Sequence, residues 1–228
     1  TVDFNIDDVA ISYATGDYPI GGIYVKPYAP NADGTHVNEG GFLDAGNTAI
    51  QTGVNPAYDQ MDAVPISSLT EYVTQTGTGA GDYVEVGFTN STEGKDPIHV
   101  QVSVAMSADT ATGNNATYRV RDGTTDADIF SGDPSQTTDI FRTLGMATKP
   151  SGGAWTETLF NALLFRFGFS SEATPDPRCG GVIAEAVFAE AAAAGPANLK
   201  SRNGLVKASV KSINGLVIGS VKSLNGLA

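Results

Sequence analysis

Three copies of KSxNGL stand at a fixed spacing near the end of this chain. They are Lys200-Ser201-Arg202-Asn203-Gly204-Leu205, Lys211-Ser212-Ile213-Asn214-Gly215-Leu216 and Lys222-Ser223-Leu224-Asn225-Gly226-Leu227. The period of 11 residues is compatible with a hendecad helix. Each period, however, carries a Gly, which helices penalise, and the spacers are rich in Val and Ile, which favour strands. Asn-Gly is the preferred pair for a two-residue type I′ turn, because both central residues need φ > 0. The repeat therefore predicts short β-strands joined by tight turns. Over residues 205–213, Val206, Ala208 and Val210 would face one way and Lys207, Ser209 and Lys211 the other. A two-stranded ribbon buries no core of its own, so the tail must lie against another surface, either this chain's or a neighbour's. That makes it an assembly element, with Leu205, Val206, Val210, Ile213, Leu216, Val217, Val221 and Leu224 as the contact residues, and Ile218 adding to the same apolar set.

Charge divides the chain at the same place. The net charge is −12 over 228 residues. Residues 195–228 carry five basic side chains (Lys200, Arg202, Lys207, Lys211, Lys222) and no acidic one, which leaves −17 on residues 1–194. A basic strap on an acidic body suits docking to a neighbouring copy. Net acidity, with no basic patch interleaved with aromatics, argues against nucleic acid as a partner. No run of 18 apolar residues exists, so no helical membrane span is expected. The residues from Thr1 onward mix polar and apolar side chains, so no signal peptide is expected. A lone cysteine, Cys179, excludes an internal disulfide and a cysteine metal cluster, and it reads as a packed thiol.

Glycine is plentiful (27 residues), charge is modest at 17%, and Thr, Asn, Asp and Ser cluster between short apolar runs. This is a turn-rich β composition. Residues 1–194 are long enough for one large all-β domain or two small ones. The first 80 residues are the least regular, with strand candidates only at 2–6 and 22–26. From residue 82 the alternation sharpens, at 83–88, 98–106, 117–121, 139–144, 163–169 and 182–189. Ile98, Val100, Val102, Val104 and Met106 fall on one face of their segment. Asp122-Gly123 marks a turn, and residues 155–160 read as a helical turn that caps the strand after it. The expected architecture is an antiparallel β-sandwich, jelly-roll-like, followed by a C-terminal β-strand repeat tail. Its core should include Val84, Val86, Val100, Val102, Val104, Phe165, Phe167 and Trp155. The domain plan is a body over 1–194, best defined over 58–189, and the basic tail over 195–228.

Candidate sites divide between structural and functional readings. Arg166, between Phe165 and Phe167, reads as outward-facing or paired with a carboxylate such as Glu185. Tyr83, Tyr118 and Trp155 would make a sugar-stacking platform if exposed, or core if not. Residues 31–35 and 122–128 carry spaced oxygen ligands as Ca²⁺ loops do. Neither completes the 12-residue pattern with its terminal Glu, and ordinary turn chemistry accounts for both. His36 and His99 stand alone. G-x-S-x-G, H-E-x-x-H and P-loop motifs are all missing, and no carboxylate pair sits in an apolar setting that would raise one pKa. No enzyme activity, catalytic residue, metal or cofactor is expected.

Several of these segments together carry a resemblance: Ala154-Trp155-Thr156, then Asn161-Ala162-Leu163-Leu164-Phe165-Arg166-Phe167-Gly168, then Pro175-Asp176-Pro177-Arg178 and a closing Glu-bearing strand. Residues 58–189 resemble a β-sandwich module of tailed-bacteriophage structural proteins. Asp82-Tyr83-Val84-Glu85-Val86 and Asp96-Pro97 look like its early strands. Family strands commonly close on Glu-Val, whereas here the sequence is Glu185-Ala186-Val187. The KSxNGL tail is similar to C-terminal repeats on phage virion proteins. The resemblance implies a virion location and a structural role, in the head or the tail; an acidic module without a shaft-like repeat suits a capsid-surface decoration or minor capsid protein. Its partners would be other virion proteins and copies of itself, in a homo-oligomeric assembly. The alternative is a tail-fibre or adhesin-like module that binds carbohydrate or a host receptor.

Overall fold

The computed structural model describes residues 23–63, 66–75, 79–109, 116–134, 136–169 and 177–189, and the short segments 201–202, 205–206, 212–213 and 216–217. One compact unit comprises Val25–Phe188, and a second is formed by Thr1–Tyr24 with Ala189–Ala228.

The larger unit is built on two antiparallel sheets. One contains β1 (Ile23–Tyr28), β3 (Phe42–Asp44), β4 (Val73–Gln75), β6 (His99–Ala108), β9 (Ile140–Met146) and β11 (Pro177–Ala189). Its order is β3-β4-β11-β6-β9, with β1 also pairing β11. The other contains β2 (Pro30–Asp33), β5 (Tyr83–Phe88), β7 (Ala116–Arg121), β8 (Asp126–Gly132) and β10 (Leu164–Phe169), in the order β2-β5-β10-β7-β8.

Period-2 alternation decides which residues enter the core. On β6, Val100, Val102, Val104 and Met106 are fully buried. Across the ladder Val100 faces Ala186 and Val102 faces Ala184, so a large side chain meets a small one, while Val104 faces Val182. In the other sheet Phe165 lies between Val86 and Val120, and Phe167 between Val84 and Tyr118. The sheets meet through rings. Phe42 of β3 packs against Phe167 and Phe169 of β10 at centroid distances of 6.1 and 5.8 Å. Tyr118 of β7 lies 5.1 Å from Phe167 and donates its hydroxyl across the core to the Arg178 carbonyl of β11 at 3.0 Å. Every residue of the expected core, Trp155 included, is buried. Ile98 is the exception on its face: it precedes β6 and is 51% exposed, because the alternation runs past the end of the strand.

The helical turn forms as expected. Thr156 caps α1 (Glu157–Asn161) by accepting the Leu159 N–H at 3.2 Å, which satisfies a free helix donor. Glu157 and Asn161 then fasten the loop after β5: Ser91 and Gly94 donate to the Glu157 carboxylate, and the Ser91 N–H donates to Asn161 Oδ1 at 2.7 Å. Trp155 donates its indole N–H to the Met146 carbonyl of β9 at 3.1 Å.

Three features were not legible in the alternation. β8 takes the last three residues, 126–128, of a segment that reads as an oxygen-rich loop. β11 carries a bulge between Cys179 and Val182, where the pairing register with β6 shifts. Residues 66–68 cross directly over this bulge. A Cβ on Gly180 would stand 1.8 Å from the Ser67 carbonyl oxygen, so only glycine fits. Both sheets also end on guarded strands. On β9 the Arg142 guanidinium donates to the Phe141 carbonyl at 3.2 Å and lies over the Phe130 ring. On β8 the ladder to β7 is irregular between Tyr118 and Arg119.

In the tail, β12 (Ser201–Arg202) pairs β13 (Leu205–Val206), and β14 (Ser212–Ile213) pairs β15 (Leu216–Val217). Arg202 faces Leu205 and Ile213 faces Leu216, so each pairing brackets one Asn-Gly. This agrees with two-residue connections at the first two repeats. The third repeat, the strand candidate at 2–6, and Val210, Ile218, Val221 and Leu224 lie outside the described residues, as does the middle, 207–211, of the strand expected over 205–213.

Candidate functional site

The polar chemistry of the body concentrates on the outer face of the five-stranded sheet, at positions alternating with the buried Phe and Val rows. Arg166 of β10 stands opposite Glu85 of β5 on one side and Arg119 of β7 on the other. Its Nε bonds the Glu85 carboxylate, its Nη1 lies 3.6 Å from Asp126, and its guanidinium stacks 4.2 Å from the centroid of Tyr83. The partner of Arg166 is thus Glu85 and not Glu185. Glu185 lies on β11 in the other sheet and accepts a hydrogen bond from Gln101 at 2.9 Å. Direct cross-strand register brings Glu85 within reach, and Glu185 is on the wrong layer.

The same register explains β8. Asp126 faces Arg121 at 2.9 Å and Asp128 faces Arg119 at 2.5 Å, so opposite charges meet across the ladder. Asp122 is committed to its turn. Its Oδ1 accepts the Thr125 N–H and its Oδ2 the Ser151 N–H at 2.7 Å, with Lys149 3.8 Å away. Burial alone would raise the Asp122 carboxyl, but the Ser151 and Thr125 hydrogen bonds and the Lys149 charge outweigh it and hold it below its ordinary value. In the earlier oxygen-rich loop, Asp33 Oδ1 accepts the Tyr58 N–H at 3.2 Å. Among the described residues no group of three His, Cys, Asp or Glu side chains is placed to hold a metal ion.

No sugar-stacking platform forms from the three aromatics considered. Tyr118 and Trp155 are buried, and Arg166 covers the face of Tyr83. Cys179 is fully buried beside Met61, and burial drives its thiol pKa well up, which keeps it protonated and unreactive.

A buried cluster around His36 was not found by sequence reasoning. Residues 34–37 run alongside β5 beyond the end of β2. Gly34 N–H donates to the Glu85 carbonyl at 2.7 Å, Val37 N–H donates to the Tyr83 carbonyl at 2.9 Å, and Thr35 N–H donates to Glu85 Oε1 at 2.9 Å. Glu85 N–H donates to His36 Nδ1 at 2.9 Å. The His36 side chain is 3% exposed, and its Nε2 lies 3.7 Å from Asp33 Oδ1 and 3.9 Å from Glu39 Oε2. Both His36 Nε2 and Asp33 Oδ2 are buried without a hydrogen-bond partner. A signal did exist in the three-residue spacing of Asp33, His36 and Glu39, but the acceptor role of Nδ1 depends on a strand 49 residues away.

Of the assembly residues, Leu205, Val206, Ile213, Leu216 and Val217 fall in the two tail pairings.

No protein-family model and no curated protein sequence matches this chain. Among solved structures, the fold is similar to the enzymatically active domain of tailspike protein 4 from bacteriophage CBA120. That match has 10% identity and a TM-score of 0.33 over 76% of this chain and 21% of that one. It is also similar to the tripod from the baseplate of bacteriophage Tuc2009, at 15% identity and a TM-score of 0.26, over 75% of this chain and 64% of that one. The chain thus spans less than two thirds of either.

Proposed function

We propose that this chain is a non-enzymatic structural component of a tailed-phage virion: a capsid-surface decoration or minor capsid protein joined to neighbouring copies through its C-terminal repeats. The observation that carries the reading is the tail. Two of its repeats form hairpin pairings, with Arg202 opposite Leu205 and Ile213 opposite Leu216, and a two-stranded ribbon has no core of its own. Pairing with strands of a neighbouring chain would supply both the hydrogen bonds and the burial. The body supports the same reading. Strands β4 to β11 divide four and four in the nested order that we read as a jelly roll, an architecture used in viral capsid domains. The burial of Tyr118 and Trp155 favours this over an adhesin that stacks sugars on those rings.

Deletion of residues 198–228 tests the proposal. The truncated body is expected to keep its melting temperature, while its incorporation into particles and its self-association fall sharply. Unfolding of the truncated chain would make the tail part of the body's core and overturn the assembly role. A count of copies per particle separates the locations: hundreds fit capsid decoration, and a few to dozens fit the tail.

A further inference from the structure

We propose that His36 is an acid-operated latch that holds residues 34–37 on β5. A ring nitrogen that accepts a hydrogen bond carries no proton, so the bond from Glu85 N–H places the single proton of the neutral imidazole on Nε2. An imidazolium has two donors and no acceptor. Once His36 is protonated, its Nδ1–H would confront the Glu85 N–H, and the bond must break.

The charged groups around the ring give the cation somewhere to go. They are Asp33 from β2, Glu39 from the 3-10 turn Glu39–Gly41, and Glu85 from β5, itself clamped by Arg166 of β10. Asp33 Oδ2 is buried and has no donor, and the Asp33 and Glu39 oxygens nearest Nε2 are just beyond hydrogen-bond range. A movement of about an ångström would convert these contacts into charge-assisted bonds. The neutral ring therefore favours the backbone of β5, and the charged ring favours the two carboxylates.

The segment cannot ignore that exchange. A Cβ on Gly34 would lie 2.5 Å from Glu85 Oε1, so the chain is packed directly on the Glu85 carboxylate. A shift of His36 is transmitted to the bonds that Thr35 and Val37 make with β5. The latch does not depend on the virion role.

Nitrogen-15 NMR of the full chain between about pH 8 and pH 5 tests it. At the upper end the imidazole should carry its proton on Nε2. On acidification the amide resonances of Glu85, Val37 and Tyr83 should move together with the ring, while those of Val100 and Val102 on the other sheet stay in place. His36→Asn puts a permanent acceptor near the position of Nδ1 and should hold the Glu85 amide constant over the whole range. The proposal is overturned by a proton on Nδ1 at the upper end, by a ring that titrates without moving the Glu85 amide, or by no titration before the chain unfolds. An undiminished pH response in His36→Asn also overturns it. If that variant does not fold, the wild-type titration alone decides.

Discussion

Asp122 shows how one side chain reads differently in one dimension and in three. Between Arg121 and Gly123 it has the look of a metal ligand, yet both carboxylate oxygens are spent on backbone N–H groups of its own turn and of residue 151. Hydrogen bonds to a charged group are worth about 1.5–3 kcal/mol each when the group is shielded from water, and the Asp122 side chain is fully shielded. Its carboxyl is held below the ordinary value in the folded state, so the folded chain binds this proton more weakly than the unfolded chain does. The resulting stability is present above the ordinary carboxylate pKa, near about 4, and drains away as the pH falls through the lower folded value. Asp122→Asn should therefore cost about 1–2 kcal/mol at neutral pH. In urea unfolding, the gap between variant and wild type should narrow steadily below about pH 4. A gap that stays constant with pH would mean that the carboxylate charge contributes nothing.

At the scale of elements, what could be read in advance was whatever burial alone determines. β5, β6, β7, β10 and the part of β11 beyond its bulge present a row of apolar side chains to the core, and alternation identifies such rows directly. β8 escaped because half of its identity is electrostatic: Asp126 and Asp128 favour a strand only once Arg121 and Arg119 stand opposite them. The three-residue strands β3 and β4 escaped because a run that short has no period to detect. The His36 cluster and the Arg166–Glu85 pair depend on register between distant strands, which no local pattern encodes. The Gly180-Gly181 bulge belongs to the same class, and it makes a sharp prediction. Gly180→Ala forces a methyl group onto the Ser67 carbonyl and should lose about 1–3 kcal/mol by chemical denaturation. Gly40→Ala, where an added Cβ meets nothing within 4 Å, should stay within about 0.5 kcal/mol of wild type. Equal effects at the two sites would show that residues 66–68 do not cross the bulge so closely.

Over the whole molecule the dominant quantity is the separation of charge, −17 over residues 1–194 against +5 over the last 34. If copies associate by laying a basic tail on an acidic neighbour, the attraction acts between solvated groups and is screened over about 10 Å at 0.1 M salt. Self-association followed by analytical ultracentrifugation should weaken about tenfold or more between about 0.05 and 0.5 M NaCl. An association that is indifferent to salt would assign the contact to the apolar residues of the repeats alone.

If copies stand side by side on a particle, as proposed, they face a hazard that a dilute protein escapes: any open sheet margin can recruit the next molecule into an endless ribbon. The terminal strand β9 carries Arg142 with its guanidinium folded back onto the Phe141 carbonyl, so a ribbon growing there would have to strip a cation from its place and bury it. That margin of the six-stranded sheet is thereby guarded, and in the proposed assembly contacts between copies would be left to the tail. A chain guarded in this way would be easier to crowd at that margin without growing into a fibre.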